Sequence, residues 1–456
     1  MKKSNLYYLK ESSIRKAIAH LSIPMMFGIS VSSIYNLINA YFIGLIHDTA
    51  MMSAITLGLP IFTILMAVGN VFGVGGGTFI SRLLGVNEPD HGKKIAGYSF
   101  YISIFLGLII GAVAFLFIDP LTHILGADAT TLLYTKQYAI VLFAGGFTVI
   151  TNFTLEQLVR AEGASKESMY GMFISVIVSI LLDTLFILML DLHVIGAALS
   201  MVLANAASSI YYIWFLEKKS ESLQGFMKHI KISVHDQLEL YKVGISELFK
   251  MSFLIVTTLL LNNFAIEYGE NVVAGFGIAL RITQLPEFLT MGLFLGAIPL
   301  IAYSFSAKNI QRLKATLKEL TIWIGGISVL FALIVYLFKL PVLGLFTSDH
   351  QVLKVGLLIL TAQLISSVFN GFTGLFTGVF QASGEGTSTM ILSVMQGILF
   401  IPVVILLHHF YGLTGLIWSM TLTEAVTFLT GALLMIPYLL KINKQDFFAR
   451  ANTIPE

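Results

Sequence analysis

Residues 169–190, MYGMFISVIVSILLDTLFILML, decide the fold. An α-helix needs about 20 apolar residues to cross a hydrocarbon layer, and this stretch meets that length with one charge inside it, Asp183. Stretches of the same kind recur along the chain. Scanning between charge-bearing breaks predicts twelve spans, at residues 17–44, 53–80, 95–118, 132–155, 169–190, 194–216, 242–266, 272–302, 317–338, 352–380, 389–408 and 413–437. The run 272–302 exceeds a simple span and predicts tilt, a kink or an extension into water. The period-2 alternation of a β-barrel is absent, which leaves a helical bundle as the spanning architecture.

Composition agrees with that reading. Only 11% of the 456 residues are charged and 56% are hydrophobic, against about 25% charged in an average soluble protein. A soluble enzyme of this length is excluded, because that charge could not cover its surface. A net charge of +2 gives no footprint for nucleic acid. The absence of cysteine removes disulfides, thiolate metal sites and cysteine nucleophiles. No Gly-x-Ser-x-Gly elbow and no helical His pair occurs in a span, so no enzyme is expected, and no cofactor. His408 and His409 fall in a loop and are expected to be solvated. The run Gly73-Val-Gly-Gly-Gly77 lacks the Lys-Ser/Thr of a phosphate loop and reads as a site of close helix packing.

Basic residues set the orientation, since Lys- and Arg-rich loops stay cytoplasmic. The N-terminus (Lys2, Lys3, Lys10, Arg15, Lys16), the loops after spans 2, 4, 6 and 8, and the tail (Lys441, Lys444, Arg450) carry 22 basic residues on one side. Lys136, Lys339 and Lys354 lie on the other, and Lys250 and Arg281 lie inside spans. Both termini are expected in the cytoplasm. The N-terminal segment reads as a retained helix without a cleavage site.

The chain also repeats itself at an offset near 221. Phe117, Pro120 and Asp128 fall over Phe338, Pro341 and Asp349, and Ala161, Gly163 and Met169 over Ala382, Gly384 and Met390. Gly196 and Ser200-Met201 meet Gly415 and Ser419-Met420 at an offset of 219. The repeat predicts an all-α membrane protein of twelve transmembrane helices in two six-helix lobes, related by a pseudo-two-fold axis along the membrane normal, with a binding cavity between or within the halves. The expected divisions are an N-lobe 1–216, a linker 217–241, a C-lobe 242–440 and a tail 441–456.

A charge at the bilayer centre costs about 2.5–3.5 kcal/mol even on the gentler scales, so each one is a functional candidate. Asp183 leads, with Ser179 one turn away on the same face. Asn152, Glu156 and Arg160 share a face of span 4. The last two are expected as a helix-end ion pair, and Asn152 as the deeper, cavity-lining residue. Glu247 and Lys250 read either as neutralising neighbours or as a cation site. Arg281, Gln284 and Glu287 make a polar stripe on span 8. Glu424 lies near the midplane of span 12 without an obvious local partner. At the repeat offset these charges meet apolar residues, so the scaffold is duplicated and the chemistry is not.

The chain resembles the multidrug and toxic-compound extrusion (MATE) family over essentially its whole length. The segments that carry the resemblance are Tyr35–Gly44 with Ala54 and Pro60, Ser81–Gly85, Arg160 with Gly163, Ser179–Asp183, Gly196–Ala198, Leu345–Asp349 and Gln381–Gly384. The resemblance implies a secondary active exporter in a bacterial cytoplasmic membrane, working as a monomer by alternating access, that antiports cationic or amphipathic drugs against H+ or Na+. The alternative is a lipid-linked saccharide flippase of the same superfamily. Family members often place a carboxylate in span 1 where this chain has Asn39, and an Asn where it has Ser179. The family's span-5 Asp is Asp183 and its span-4 Asn is Asn152. Coupling then falls to Asp183, with Glu247 or Glu424, or to a more neutral oxygen cluster. Na+ near Asp183 is the one metal ion with a place in this reading.

Overall fold

The protein is described from a computed structural model over residues 4–451, apart from the side chains of residues 35–37, 40 and 445–451. Lys2, Lys3, the Arg450 side chain and the side chains of Tyr35, Asn36, Leu37 and Ala40 in the first family segment lie outside the described residues. The described residues form helices without strands. In order these are α1 (Asn5–Lys10), α2 (Ile14–Gly44), α3 (Thr49–Gly85), α4 (Pro89–Leu116), α5 (Ile118–Ile124), α6 (Leu132–Ala144), α7 (Gly146–Ala161) and α8 (Ser165–Asp183). A π-helical turn, Thr184–Met189, leads to α9 (His193–Lys218). The second half contains α10 (Val234–Ile266), α11 (Glu270–Ser306), α12 (Ile310–Leu337), α13 (Lys339–Gly344), α14 (His350–Ser383), α15 (Gly386–Ile398) and α16 (Phe400–Ala451).

Ten stretches are long and apolar enough to cross a membrane, and α6 with α7, bent by 51° at Gly145, make an eleventh. The last stretch, Gly386–Lys444, contains Gly412 with non-helical φ 56° and ψ −132°. That break divides it and gives the expected twelve. The long run on span 8 is one helix, α11, of 37 residues with Pro286 and Pro299 inside it.

Several repeat positions do the same local work twice. Gly163 and Gly384 both take left-handed φ, +83° and +75°, a conformation that costs a Cβ-bearing residue strain. Each ends a helix at the face that carries the basic loops. Asp128 and Asp349 each accept backbone N–H bonds from residues two and three positions on, Asp128 from Thr130 and Thr131 and Asp349 from Gln351 and Val352. At Asp349 this caps α14 and satisfies donors that have no partner inside the helix, whereas Asp128 orders the turn that leads into α6.

The halves meet where α3 packs on α10 and α2 on α11. These contacts gather at the basic face. Ser22 Oγ donates to the Leu293 carbonyl at 2.7 Å, and Arg82 Nη1 donates to the carbonyls of Gln381 and Ala382 at 3.3 and 3.5 Å. Toward the other face the same helices lose their cover. Val243, Gly244, Ser246 and Glu247 of α10 are buried, whereas none of residues 248–260 is. On α2 no described residue from 30 to 41 is buried. The bundle is therefore a V, joined at the basic face and open away from it.

Candidate functional site

Each half holds a polar cluster among its helices, buried in the first half and half-buried in the second. In the first, α8 ends at Asp183 and passes directly into the π-helical turn, a local rewinding that is frequent at functional sites. Asp183 is fully buried, and the Ser200 hydroxyl on α9 donates to its Oδ1. That hydroxyl also lies 2.9 Å from the Gly196 carbonyl, and its single hydrogen can satisfy only one of the two acceptors fully. Ser179, one turn back on α8, is also buried. Asn39 is half-buried on α2, which packs against α8.

Five residues further along α9, about 7.5 Å of helix rise, Asn205 accepts from Asn152 Nδ2 at 2.9 Å and donates to the Met201 carbonyl at 2.8 Å. Asn152 Oδ1 is buried with no hydrogen-bond partner among the described residues. Asp183 and Asn152 are thus tied to one helix, α9, by Ser200 and Asn205. Nearer the basic face Glu156 and Arg160 pair at 3.4 Å. This is not a solvated helix-end pair: both side chains are buried, and Arg160 also meets Gln157 and Met25. Gln157 in turn donates to Asn70 on α3 at 3.3 Å.

In the second half Glu424 has the partners that its sequence neighbourhood did not show. Its Oε1 accepts from Asn370 on α14 at 3.3 Å and from Gln396 on α15 at 3.4 Å, while Oε2 is buried and unpaired. Glu287 of α11 stands one turn before Thr290, whose Cγ2 lies 3.7 Å from where a Cβ on Gly371, the neighbour of Asn370, would stand, and Lys250 of α10 stands one turn before Phe253, which packs over Gly397, the neighbour of Gln396. One turn beyond Glu424, Phe428 packs against Phe369, Phe372 and Phe376, with ring centroids 5.4–5.9 Å apart. Glu424 and its two carboxamides thus sit between an aromatic cluster one turn away on α16 and the segments of α11 and α10 that carry Glu287 and Lys250.

Other expected groups stand elsewhere. Glu247 does not neutralise Lys250: it accepts from Gln381 Nε2 at 2.6 Å, in the joined part of the V. Arg281 and Gln284 are exposed on α11, so only Glu287 of that stripe enters the cluster. His408 is not merely solvated, since its Nε2 lies 3.5 Å from Glu267 and its ring packs on Phe264 and Tyr268. Ser200, Asn205, Asn370, Gln396 and Gln381 were not read as site residues. Of these, Ser200 carried a signal in its repetition as Ser419, and Gln381 in the family segment Gln381–Gly384. No group of three His, Asp or Glu among the described residues could hold a metal ion.

Comparison with known proteins matches this architecture. The MatE family model matches residues 24–185 and again 248–406, one copy in each half. The chain is 41% identical over 442 residues to the multidrug export protein MepA of Staphylococcus aureus strain MRSA252, covering 97% of both chains. It is 41% identical over 426 residues to MepA of Staphylococcus haemolyticus strain JCSC1435, covering 93% of this chain and 94% of that one. Among solved structures, a MATE crystallised in complex with MaD3S superposes with a TM-score of 0.89 at 25% identity, over 97% of this chain and all of that one. A multidrug resistance MATE transporter of the MOP superfamily in an outward-facing conformation gives 0.88 at 25% identity, over 98% of this chain and 99% of that one. Two matches to one family model and near-complete relatives at that identity make this chain a multi-span membrane protein that belongs to the MatE, or multidrug and toxic-compound extrusion, family.

Proposed function

We propose that this protein is a secondary active multidrug exporter of a bacterial cytoplasmic membrane, with the basic face and both termini in the cytoplasm. It exchanges organic cations for H+ or Na+ by alternating access. The observation that carries the reading is the pair of unlike acidic clusters, one in each half of a V that is joined at the basic face. Buried acids inside spans are costly unless a cation uses them, and a carrier needs two cation sites that can influence one another.

The Asp183 cluster takes the coupling ion. Ser200 bonds the carboxylate, Ser179 stands one turn away on α8, and Asn152 Oδ1 offers a further neutral oxygen along α9, a set that suits a proton or a sodium ion. The Glu287–Glu424 cluster takes the organic cation, with carboxylates for its charge and phenylalanine faces for its rings. Moving one charge through 100 mV supplies about 2.3 kcal/mol, enough for a several-tens-fold gradient. The printed names of the MepA relatives and the shared architecture favour this reading over a flippase, and no observation favours a catalytic role.

The test is dye efflux from proteoliposomes under separately imposed pH and Na+ gradients. Asp183→Asn should insert normally and still bind dye, yet show at least about tenfold slower gradient-driven efflux, about 1.4 kcal/mol or more on the transport barrier. Undiminished efflux by that variant overturns the assignment of Asp183.

A further inference from the structure

The second-half cluster contains a cation of its own. Lys250 lies on α10 just beyond the buried segment that ends at Glu247, where the V begins to open. The packing of α10 on α15 fixes its level. Phe253, one turn on, fills the space above Gly397, where a Cβ would come within 1.9 Å of Phe253 Cβ. Gln396, the neighbour of Gly397, donates to Glu424 Oε1. The Lys250 side chain is half-buried and shares the α10 face of Phe253, three residues on, the face that packs on α15 beside Gln396. Glu424 in turn leaves Oε2 buried and without a hydrogen-bond partner.

The local charge count follows. Glu287 and Glu424 together bring two negative charges when ionised, and Lys250 returns one. Two like carboxylates half-buried among apolar helices are costly when both are ionised, and a tethered ammonium offsets part of that cost when no ligand is present. The remaining deficit matches a ligand with one positive charge. A second cationic centre would meet Lys250 and be repelled by it, and like-charge juxtaposition is an effective way to reject a competing ligand.

From this arrangement we infer that Lys250 is a specificity-determining residue: its ammonium acts as a built-in counter-ion that sets the Glu287–Glu424 pocket to singly charged organic cations and disfavours doubly charged ones. The inference rests on the reading that this pocket holds the organic cation. It is separate from the coupling role given to Asp183.

Ethidium and propidium test it, because they share one phenanthridinium ring system and differ by a second, quaternary charge. The chain has no cysteine, so Lys250→Cys can be charged and uncharged chemically after folding. Efflux of both dyes is measured for the parent, Lys250→Cys, the same variant treated with 2-aminoethyl methanethiosulfonate, and Glu424→Gln. The propidium-to-ethidium rate ratio should rise about tenfold or more in Lys250→Cys, as expected for one charge removed at close range. It should fall back when the reagent restores an ammonium. Lys250→Arg, which keeps the charge, should keep the parental ratio.

A ratio unchanged in Lys250→Cys, or changed and not reversed by the reagent, overturns the inference when Glu424→Gln has lost efflux of both dyes. Parental efflux of both dyes by Glu424→Gln instead overturns the pocket itself, and with it the basis of the inference. Should Lys250→Cys fail to fold, Lys250→Gln is read by the same ratio, and an unchanged ratio there is equally decisive.

Discussion

At the scale of a residue, Glu162 shows how burial outside the spans can create a pH response. It lies in the turn between α7 and α8 and is 1% exposed. The Ser220 hydroxyl donates to it at 2.6 Å and the Ser222 N–H at 3.3 Å, which fastens the segment after α9 to the first half. Burial pushes its carboxyl up to about 7; the two hydrogen bonds act against that shift and the Glu221 charge adds to it. The folded state then holds a proton that the unfolded chain releases near pH 4.5, so stability falls as pH rises from about 4.5 to 7 and is level above that. The shift is worth on the order of 3 kcal/mol. Glu162→Gln keeps an acceptor for both donors and removes the titration. In detergent it should melt with the parent near pH 4.5 and above it at pH 8, the gap growing between those limits; a gap independent of pH contradicts this account. The functional candidates that stand out most plainly from the sequence carry a formal charge inside an apolar run, while Asn39, Asn152 and Ser179 enter through the family resemblance or as neighbours on a polar face. Asp183 and Glu424 stand out for that reason. Ser200 and Asn205 do not, because a hydroxyl or carboxamide can bond a carbonyl of its own helix and so looks inexpensive until the neighbouring helix is in view.

Between elements, glycine decides how near two helices can come. The run Gly73–Gly77, read as a packing site, serves three neighbours at once. Gly73 and Gly77 face α7, Gly76 faces Ser99 of α4, and Gly75 faces α10, where an added Cβ would stand 2.3 Å from the Leu240 carbonyl oxygen. The obstacle at Gly75 is backbone, so it cannot rotate away. Gly75→Ala should therefore separate α3 from α10 at the joined end of the V and cost about 1–3 kcal/mol, the usual range for overpacking. Gly326 on α12 has nothing within 4 Å of its added Cβ, so Gly326→Ala should be neutral or gain about 0.5–1 kcal/mol through helix entropy. Melting temperatures of the purified proteins distinguish the two, and equal melting of both variants contradicts the close-approach argument. The helices themselves were legible, because span length and loop charge are local properties. The 51° bend at Gly145 was not, because the Gly145-Gly146 pair permits a bend without requiring one.

On the scale of the whole molecule, duplication fixes the scaffold while unduplicated contacts fix how the halves are held. The repeat was visible through Gly163 with Gly384 and Asp128 with Asp349. The joined face was not, because its contacts link residues far apart in the chain, from Gly75 with Leu240 to Arg82 with Gln381, that obey no shared pattern. Arg312, at the start of α12, is the plainest case. Its guanidinium donates to the carbonyls of Leu9 at 2.8 Å, Ser12 at 2.7 Å and Tyr8 at 2.8 Å, the carbonyls that the short helix α1 leaves without partners at its end. Leu9 itself is fully buried among residues of the second half. On its other side α1 sits against the first half, where the absent Cβ of Gly163 leaves room for Leu9 and the Asn5 carbonyl. A helix of six residues is too short to stand by itself, so α1 holds its place through these two contacts and bridges the halves. Losing three charge-assisted bonds should cost on the order of 3 kcal/mol. Arg312→Ala should therefore let the basic face part more often. Ser22→Cys reports this directly: the residue is buried between the halves, and no other cysteine competes for label. Its reaction with an impermeant maleimide, offered from the basic face of oriented vesicles, should speed up about tenfold or more in the Arg312→Ala background. Arg312→Lys should recover only part of the protection, because an ammonium lacks the planar fork that reaches three carbonyls. Identical labelling rates in the three backgrounds would show that α1 rests on the halves without joining them.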